Sequence, residues 1–139
     1  MMAGARVKDL IKEYVELVWN KCDIASLSRL TTPDFKYHLG QQPPRSRDAM
    51  QAFLESTHEA YPDWQVRILE IIAEEQSGAI RWEGQVTHKG QFHGIAPTGR
   101  AIQVNGINMY RIEGDLIAEE WEQTDSLSML RQLGELPQV

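Results

Sequence analysis

An α+β fold is predicted from two textures that follow one another along the 139 residues. Up to Ala60 the apolar residues recur at helical spacing, whereas from Trp64 to Thr124 they fall into four extended runs joined by short turns. No repeat, linker or low-complexity tract interrupts the chain, so residues 1–139 are expected to form one domain. Helices first, then a long meander, is the order of an α+β architecture.

Each element has its own warrant. Val7, Leu10, Ile11, Tyr14, Val15 and Val18 line one face of a helix expected over residues 5–20. Asp23 is placed to cap a short second helix carrying Ile24, Leu27 and Leu30, with Pro33 beyond its end. "DFKYHL" alternates Phe35, Tyr37 and Leu39 as a short strand, and "GQQPPRSR" is a loop by its glycine and two prolines. Ser46 can cap a third helix with Met50, Phe53, Leu54 and Thr57 on one face, closed where Pro62 disfavours helix at Tyr61. "WQVRILEIIAEE", "AIRWEGQVTH", "RAIQVNGINMYRIE" and "LIAEEWEQT" are the four strands. With only "QSG", "KGQFHGIAPTG" and "EGD" between them, they should run antiparallel. "SLSMLRQLG" ends the fold as a helix with Gly134 at its C-terminal cap.

Composition excludes several functions. With 20 acidic and 14 basic residues the net charge is -6, which opposes a nucleic-acid partner. Cys22 is the only cysteine, so neither an internal disulfide nor a cysteine–histidine zinc site is expected, in keeping with a reducing compartment. No apolar run reaches membrane-spanning length and "MMAGARVKDLIKEY" lacks a signal-peptide core, so a soluble cytoplasmic protein with no membrane partner is expected. There is no Walker A loop, no glycine fingerprint opening a helix and no nucleophile elbow. "PTGR" fits a β-turn better than a phosphate cradle. No cofactor and no metal are therefore expected.

"YPDW", "THKGQFHGIAPTGR", "GINMYRIEGDLIAEEW" and "DSLSMLRQLG", in that order, resemble the SnoaL-like polyketide cyclase family of the NTF2-like superfamily. The likeness runs through about two-thirds of the chain; Arg47 stands where members often carry glycine. It implies a cone-like α+β barrel in which a curved, mostly antiparallel sheet wraps N-terminal helices around a deep apolar pocket. It further implies cofactor-independent ring closure of a hydrophobic, carbonyl-bearing small molecule by intramolecular aldol condensation. Isomerases, dehydratases, hydrolases and non-catalytic binding proteins share the fold, so fold alone does not choose among them.

Aldol closure needs a base for a proton beside a carbonyl, and a carboxylate serves only where burial or a like charge raises its pKa. Asp125 is the first candidate. By alternation it shares a strand face with Ile117, Glu119, Trp121 and Gln123, and it matches the acid/base aspartate of characterised cyclases that the resemblance brings. The alternative is that Asp125 only caps the last helix, a task Thr124 could also perform. His88, in phase with Ile80, Trp82, Gly84 and Val86, could donate to a carbonyl or shuttle a proton, or be pinned at a strand end.

Trp82 and Trp121 are expected to line one cavity with Phe53 and Met50 as flat apolar walls, against the reading that they are plain core. His38, Asn108 and Tyr110 are candidate polar contacts. Glu119 is expected on the Trp121 face, where its charge would act on Asp125, while the neighbouring pairs Glu74–Glu75 and Glu119–Glu120 should be split by the sheet. His93 sits in a glycine-flanked loop suited to a lid, and His58 is expected in solvent. Ile68, Ile102 and Ile107, read as outward-facing, point to a homodimer through the outer sheet face.

Overall fold

In the computed structural model, which describes residues 3–135, the elements follow the expected order. Helix α1 spans Ala3–Tyr14 and continues as one π-helical turn, Val15–Asn20. Val15, Val18 and Trp19 of that turn are all buried. Helix α2 covers Ile24–Leu30, with the Asp23 carboxylate accepting the Ser26 N–H at its start. Strand β1, Thr31–Leu39, is longer than the alternation of its aromatics suggests. Pro33 lies inside it, tolerated because β1 is an edge strand where a missing N–H costs no ladder bond on the open side.

Helix α3, Arg47–Ala60, begins at Ser46, whose hydroxyl accepts from Ala49, and buries Met50, Leu54 and Thr57. The meander is β2 (Arg67–Ala73), β3 (Ser77–Thr87), β4 (Ala101–Glu113) and β5 (Leu116–Thr124). Helix α4, Ser126–Gln132, completes the fold, and Gly134 takes a left-handed φ of 84° just beyond it. The sheet order is β1-β5-β4-β3-β2, antiparallel throughout except for β1, which runs parallel to β5. The curved sheet stays open and wraps the helices.

Strict alternation along β4 sets the two faces: Ile102, Val104, Asn108, Tyr110 and Ile112 are buried, while Ile107 and Met109 are exposed. Ile102 therefore points inward, correcting the outward placement, and Ile68 is half-buried against the core. Ile107 does face out. Where Ile112 pairs with Ile117 but Arg111 pairs with Glu119, Ala118 is left unopposed as a bulge. That extra residue shifts the parity of β5: Ile117 faces in, and so do Glu120, Glu122 and Thr124. Gly106 permits the close fit above them, because a Cβ there would lie 2.6 Å from the Trp82 ring and from the Gln123 carbonyl oxygen.

Candidate functional site

The cone opens at a cleft between Leu39, Phe53, Phe92, His93, Thr124 and Met129, enclosing about 420 Å³ of empty space including its mouth. A narrow interior gap, with room for about one water molecule, lies behind it, bounded by Val15, Ile80, Trp82, Asn108 and Tyr110. Trp19, Trp64 and Glu122 line both, so the two are consecutive parts of one apolar passage.

Two carboxylates stand on the inner face of β5. Glu120 is fully buried and Glu122 is 7% exposed. Tyr14, from the end of α1, donates its hydroxyl to Glu120 Oε1 at 2.6 Å. The indole N–H of Trp19, delivered by the π-helical turn, reaches Glu120 Oε2 at 3.0 Å. Asn108 on β4 donates to the same oxygen at 2.9 Å and more weakly to Glu122 Oε1 at 3.5 Å, while its own oxygen accepts Trp82 Nε1 at 2.8 Å. Glu122 also accepts the Tyr37 hydroxyl at 2.8 Å and the Thr124 hydroxyl. Beside them the Tyr110 hydroxyl lies close to Glu120 without a well-aligned hydrogen bond.

Burial dominates the electrostatics. It pushes Glu120 up to about 7; the Glu122 charge pushes the same way, against the hydrogen bonds from Tyr14 and Asn108. Glu122 is likewise raised by burial, opposed by Thr124, Tyr37, Asn108 and the charge of Arg45. Burial and the neighbouring carboxylates hold Tyr14, Tyr37 and Tyr110 well above the ordinary tyrosine value, so they act as hydrogen donors at any physiological pH. Arg45 sits over the Phe53 ring at 4.4 Å. A carboxylate pair raised by burial, one member of it lining an apolar space, is an arrangement able to take up and release a proton close to neutral pH.

The expected residues scatter relative to this centre. Trp82 and Asn108 belong to it, Phe53 lines the mouth, and Met50 is fully buried in the core behind. His93 lies at the mouth as expected of a lid loop. Trp121 does not face Trp82: it pairs with Met109 on the outer face, where its ring stacks on His38 at 5.2 Å. His38 Nε2 meets Glu119 at 2.7 Å, and Glu119 accepts from Arg111 at 2.9 Å. Burial alone would raise Glu119, but those two partners outweigh it and hold the carboxyl below its usual range. The expectation of one cavity lined by both tryptophans is thus corrected, and His38, Glu119 and Trp121 form a network outside the cone.

Asp125 is exposed at the start of α4, where its carboxylate accepts the Ser128 N–H at 3.1 Å. It borders an open groove with Arg81, Trp82, Glu83, Asn105, Gln123 and Thr124, and its carboxylate makes no hydrogen bond to Glu120 or Glu122. His88 is fully buried. Its Nδ1 accepts the Thr98 N–H at 3.2 Å, which places the ring proton on Nε2, and its ring rests against Tyr61 at 5.5 Å. It ties the loop after β3 to the barrel. His58, expected in solvent, instead contacts the Trp19 carbonyl at 2.7 Å.

Sequence reasoning missed Glu120, Glu122, Tyr14, Tyr37, Trp19 and Trp64. A signal existed in the spacing, since Glu120, Glu122 and Thr124 alternate as one polar set on a strand between two buried neighbours. Among the described residues no group of three or more His, Cys, Asp or Glu is arranged to hold a metal, and no helix is long and apolar enough to cross a membrane.

The family model for SnoaL-like polyketide cyclases matches residues 8–133. Among solved structures, the chain is similar to AclR of Streptomyces galilaeus, proposed to be a hydroxylase: 30% identity, TM-score 0.86, covering 97% of this chain and 89% of that one. It is similar to IdmH of Streptomyces antibioticus, proposed to be a polyketide cyclase, at 29% identity and TM-score 0.79, over 91% of this chain and 97% of that one. A proposed SnoaL-like polyketide cyclase of Jannaschia sp. shares the fold at TM-score 0.88 and 16% identity, over 96% of this chain and 95% of that one. No curated protein matches the sequence.

Proposed function

We propose that this chain, which belongs to the SnoaL-like polyketide cyclase family, is a cofactor-independent proton-transfer enzyme that closes a ring in a hydrophobic, carbonyl-bearing small molecule. The observation that carries the reading is the buried Glu120–Glu122 pair, with Glu122 lining the apolar passage. Glu122 removes the proton from the carbon beside a carbonyl; the resulting enolate carbon attacks a second carbonyl of the same molecule. The alkoxide so formed takes the proton back from Glu122, leaving atoms and charge balanced and the carboxylate regenerated. Glu120, whose oxygens are occupied by Tyr14, Trp19 and Asn108, acts as the positioning residue: it shares the Asn108 amide with Glu122 and so fixes that donor beside the base. Asp125 and His88 take no part in the transfer: one caps α4 and the other anchors a loop. A reducing, cytoplasmic setting agrees with the single, unpaired Cys22.

The chemistries proposed for two similar proteins, hydroxylation for AclR and cyclisation for IdmH, are both compatible with activation of a carbon beside a carbonyl, which is why proton transfer is the common step proposed. A second reading, a binding protein for the same ligand, is favoured by the crowding of donors around both carboxylates. β-Tetralone, a two-ring enolisable ketone, separates the two. In heavy water the parent protein should accelerate loss of the α-proton signal in the NMR spectrum, and Glu122→Gln should remove that acceleration. Binding without acceleration would establish the second reading, and full acceleration in Glu122→Gln would remove Glu122 from the chemistry.

A further inference from the structure

The proposed reaction needs a hydrogen donor for the carbonyl oxygen, on which negative charge gathers as the enolate forms. The buried donors along the passage are nearly all engaged. Trp19, Trp82 and Tyr37 point their N–H or O–H groups at Glu120, Asn108 and Glu122, Thr57 donates to the Phe53 carbonyl, and Thr124 donates to Glu122. Two make no well-aligned hydrogen bond, the Tyr110 hydroxyl and the Trp64 indole N–H, both shielded from solvent. Tyr110 lies next to Glu120 and belongs electrostatically to the carboxylates.

Trp64 differs. It lines both parts of the passage together with Glu122, is 8% exposed, and is held by rings on two sides, with Tyr61 at 5.9 Å and Trp82 at 6.4 Å. Its backbone is fixed as well, the amide donating to the Tyr61 carbonyl at 2.9 Å. A rigid buried donor without an acceptor is a standing cost of the free protein that a ligand oxygen would relieve.

We infer that the Trp64 indole N–H holds the carbonyl oxygen of the substrate, making Trp64 the residue that selects neutral ketones over hydrocarbons of equal shape. The neutrality follows from the surroundings: an N–H carries no charge, and the Glu122 carboxylate lining the same passage opposes a second anion. This inference rests on the proposed function for its substrate class, but it concerns binding and is tested without turnover.

The test compares β-tetralone with tetralin, its analogue lacking the carbonyl, by quenching of tryptophan fluorescence. The parent should bind the ketone about tenfold more tightly, the effect of one neutral hydrogen bond to a donor otherwise left unmade. Trp64→Phe should bring the two affinities together while tetralin binding itself shows that the passage is intact, and Tyr110→Phe should keep the preference. A variant-free measurement stands beside these: the carbonyl stretch of bound β-tetralone should fall below its frequency in an apolar solvent. An unchanged ratio in Trp64→Phe, a preference lost instead in Tyr110→Phe, or an unshifted stretch in the parent would each overturn the assignment. None of these outcomes depends on whether Glu122 moves a proton.

Discussion

Replacing Glu120 by glutamine removes the most strongly perturbed carboxyl of the site, and its consequence can be worked out from the structure. In the unfolded chain the carboxyl ionises near its ordinary value of 4.5, whereas in the folded protein burial carries it to about 7. Below the unfolded value both states hold the proton and the group does not weigh against folding. Between about 4.5 and about 7 the unfolded chain has released its proton while the folded one retains it, so stability falls as pH rises. Above that window the loss is complete and constant. At ~1.4 kcal/mol for each pH unit, the full loss is about 3 kcal/mol.

Glutamine can occupy the site with little rearrangement. Its oxygen takes the place of Oε2, still accepting from Trp19 and Asn108, and its amide nitrogen takes the place of Oε1. There the Tyr14 hydroxyl, now a donor, turns to accept instead. Asp23, Asp63 and Glu119, whose pKa values are lowered, act in the opposite sense, losing stability as pH falls. They are common to both proteins and cancel in the difference. Urea denaturation from pH 4 to pH 8 should therefore show the variant gaining about 3 kcal/mol on the parent across the window. A parent–variant difference that stays flat with pH would refute the buried, proton-holding state of Glu120. Proton exchange from β-tetralone should persist in this variant with little change in its pH profile, because Glu120 holds its proton, and so carries no charge, while Glu122 ionises.

Asp125→Asn should leave exchange intact, and Asp125→Ala should cost about 1 kcal/mol through loss of the α4 cap, read by thermal melting; loss of exchange in Asp125→Asn would move the acid/base role to the start of α4. Gly106→Ala should destabilise by about 1 to 3 kcal/mol in urea, because the added methyl meets the Trp82 ring and the Gln123 carbonyl; a neutral result would contradict that close approach. We place the dimer expected from the sequence on the outer sheet face, where Ile72, Ile107 and Met109 are more than half exposed. Sedimentation should show a dimer at micromolar concentration that Ile107→Lys dissociates, and a monomeric parent would end that proposal.

The fold was open to reading because its signals are local. Asp23 and Ser46 cap the helices they precede, and "RAIQVNGINMYRIE" alternates without a fault along β4. The π-helical turn and the full length of β1 were not readable in the same way. Whether Val15–Asn20 widens depends on what Trp19 must reach, and that partner, Glu120, lies 101 residues away. The first residues of β1 are strand only because β5 lies alongside them, in a parallel pairing that no turn announces.

The site failed to emerge for a different reason. Alternation assigns residues to two faces but does not say which face is inside, and on β5 the usual guide misleads. Trp121 would ordinarily mark the buried face and Glu120 with Glu122 the wet one. Here β1 and β4 flank β5, so the tryptophan finds its partner outside, stacked on His38, while the glutamates enter a cone already furnished with Tyr14, Trp19, Tyr37 and Asn108. The bulge at Ala118 adds a second reversal, placing Ile117 opposite in phase to Trp121 although the two are separated by an even number of residues. Burying two carboxylates costs folding energy that an apolar pair would not, and a barrel with no use for them would be more stable with leucines. That the chain instead supplies donors to both from α1, the π-helical turn, β1 and β4 is the physical ground for the proposal that these carboxylates carry its chemistry.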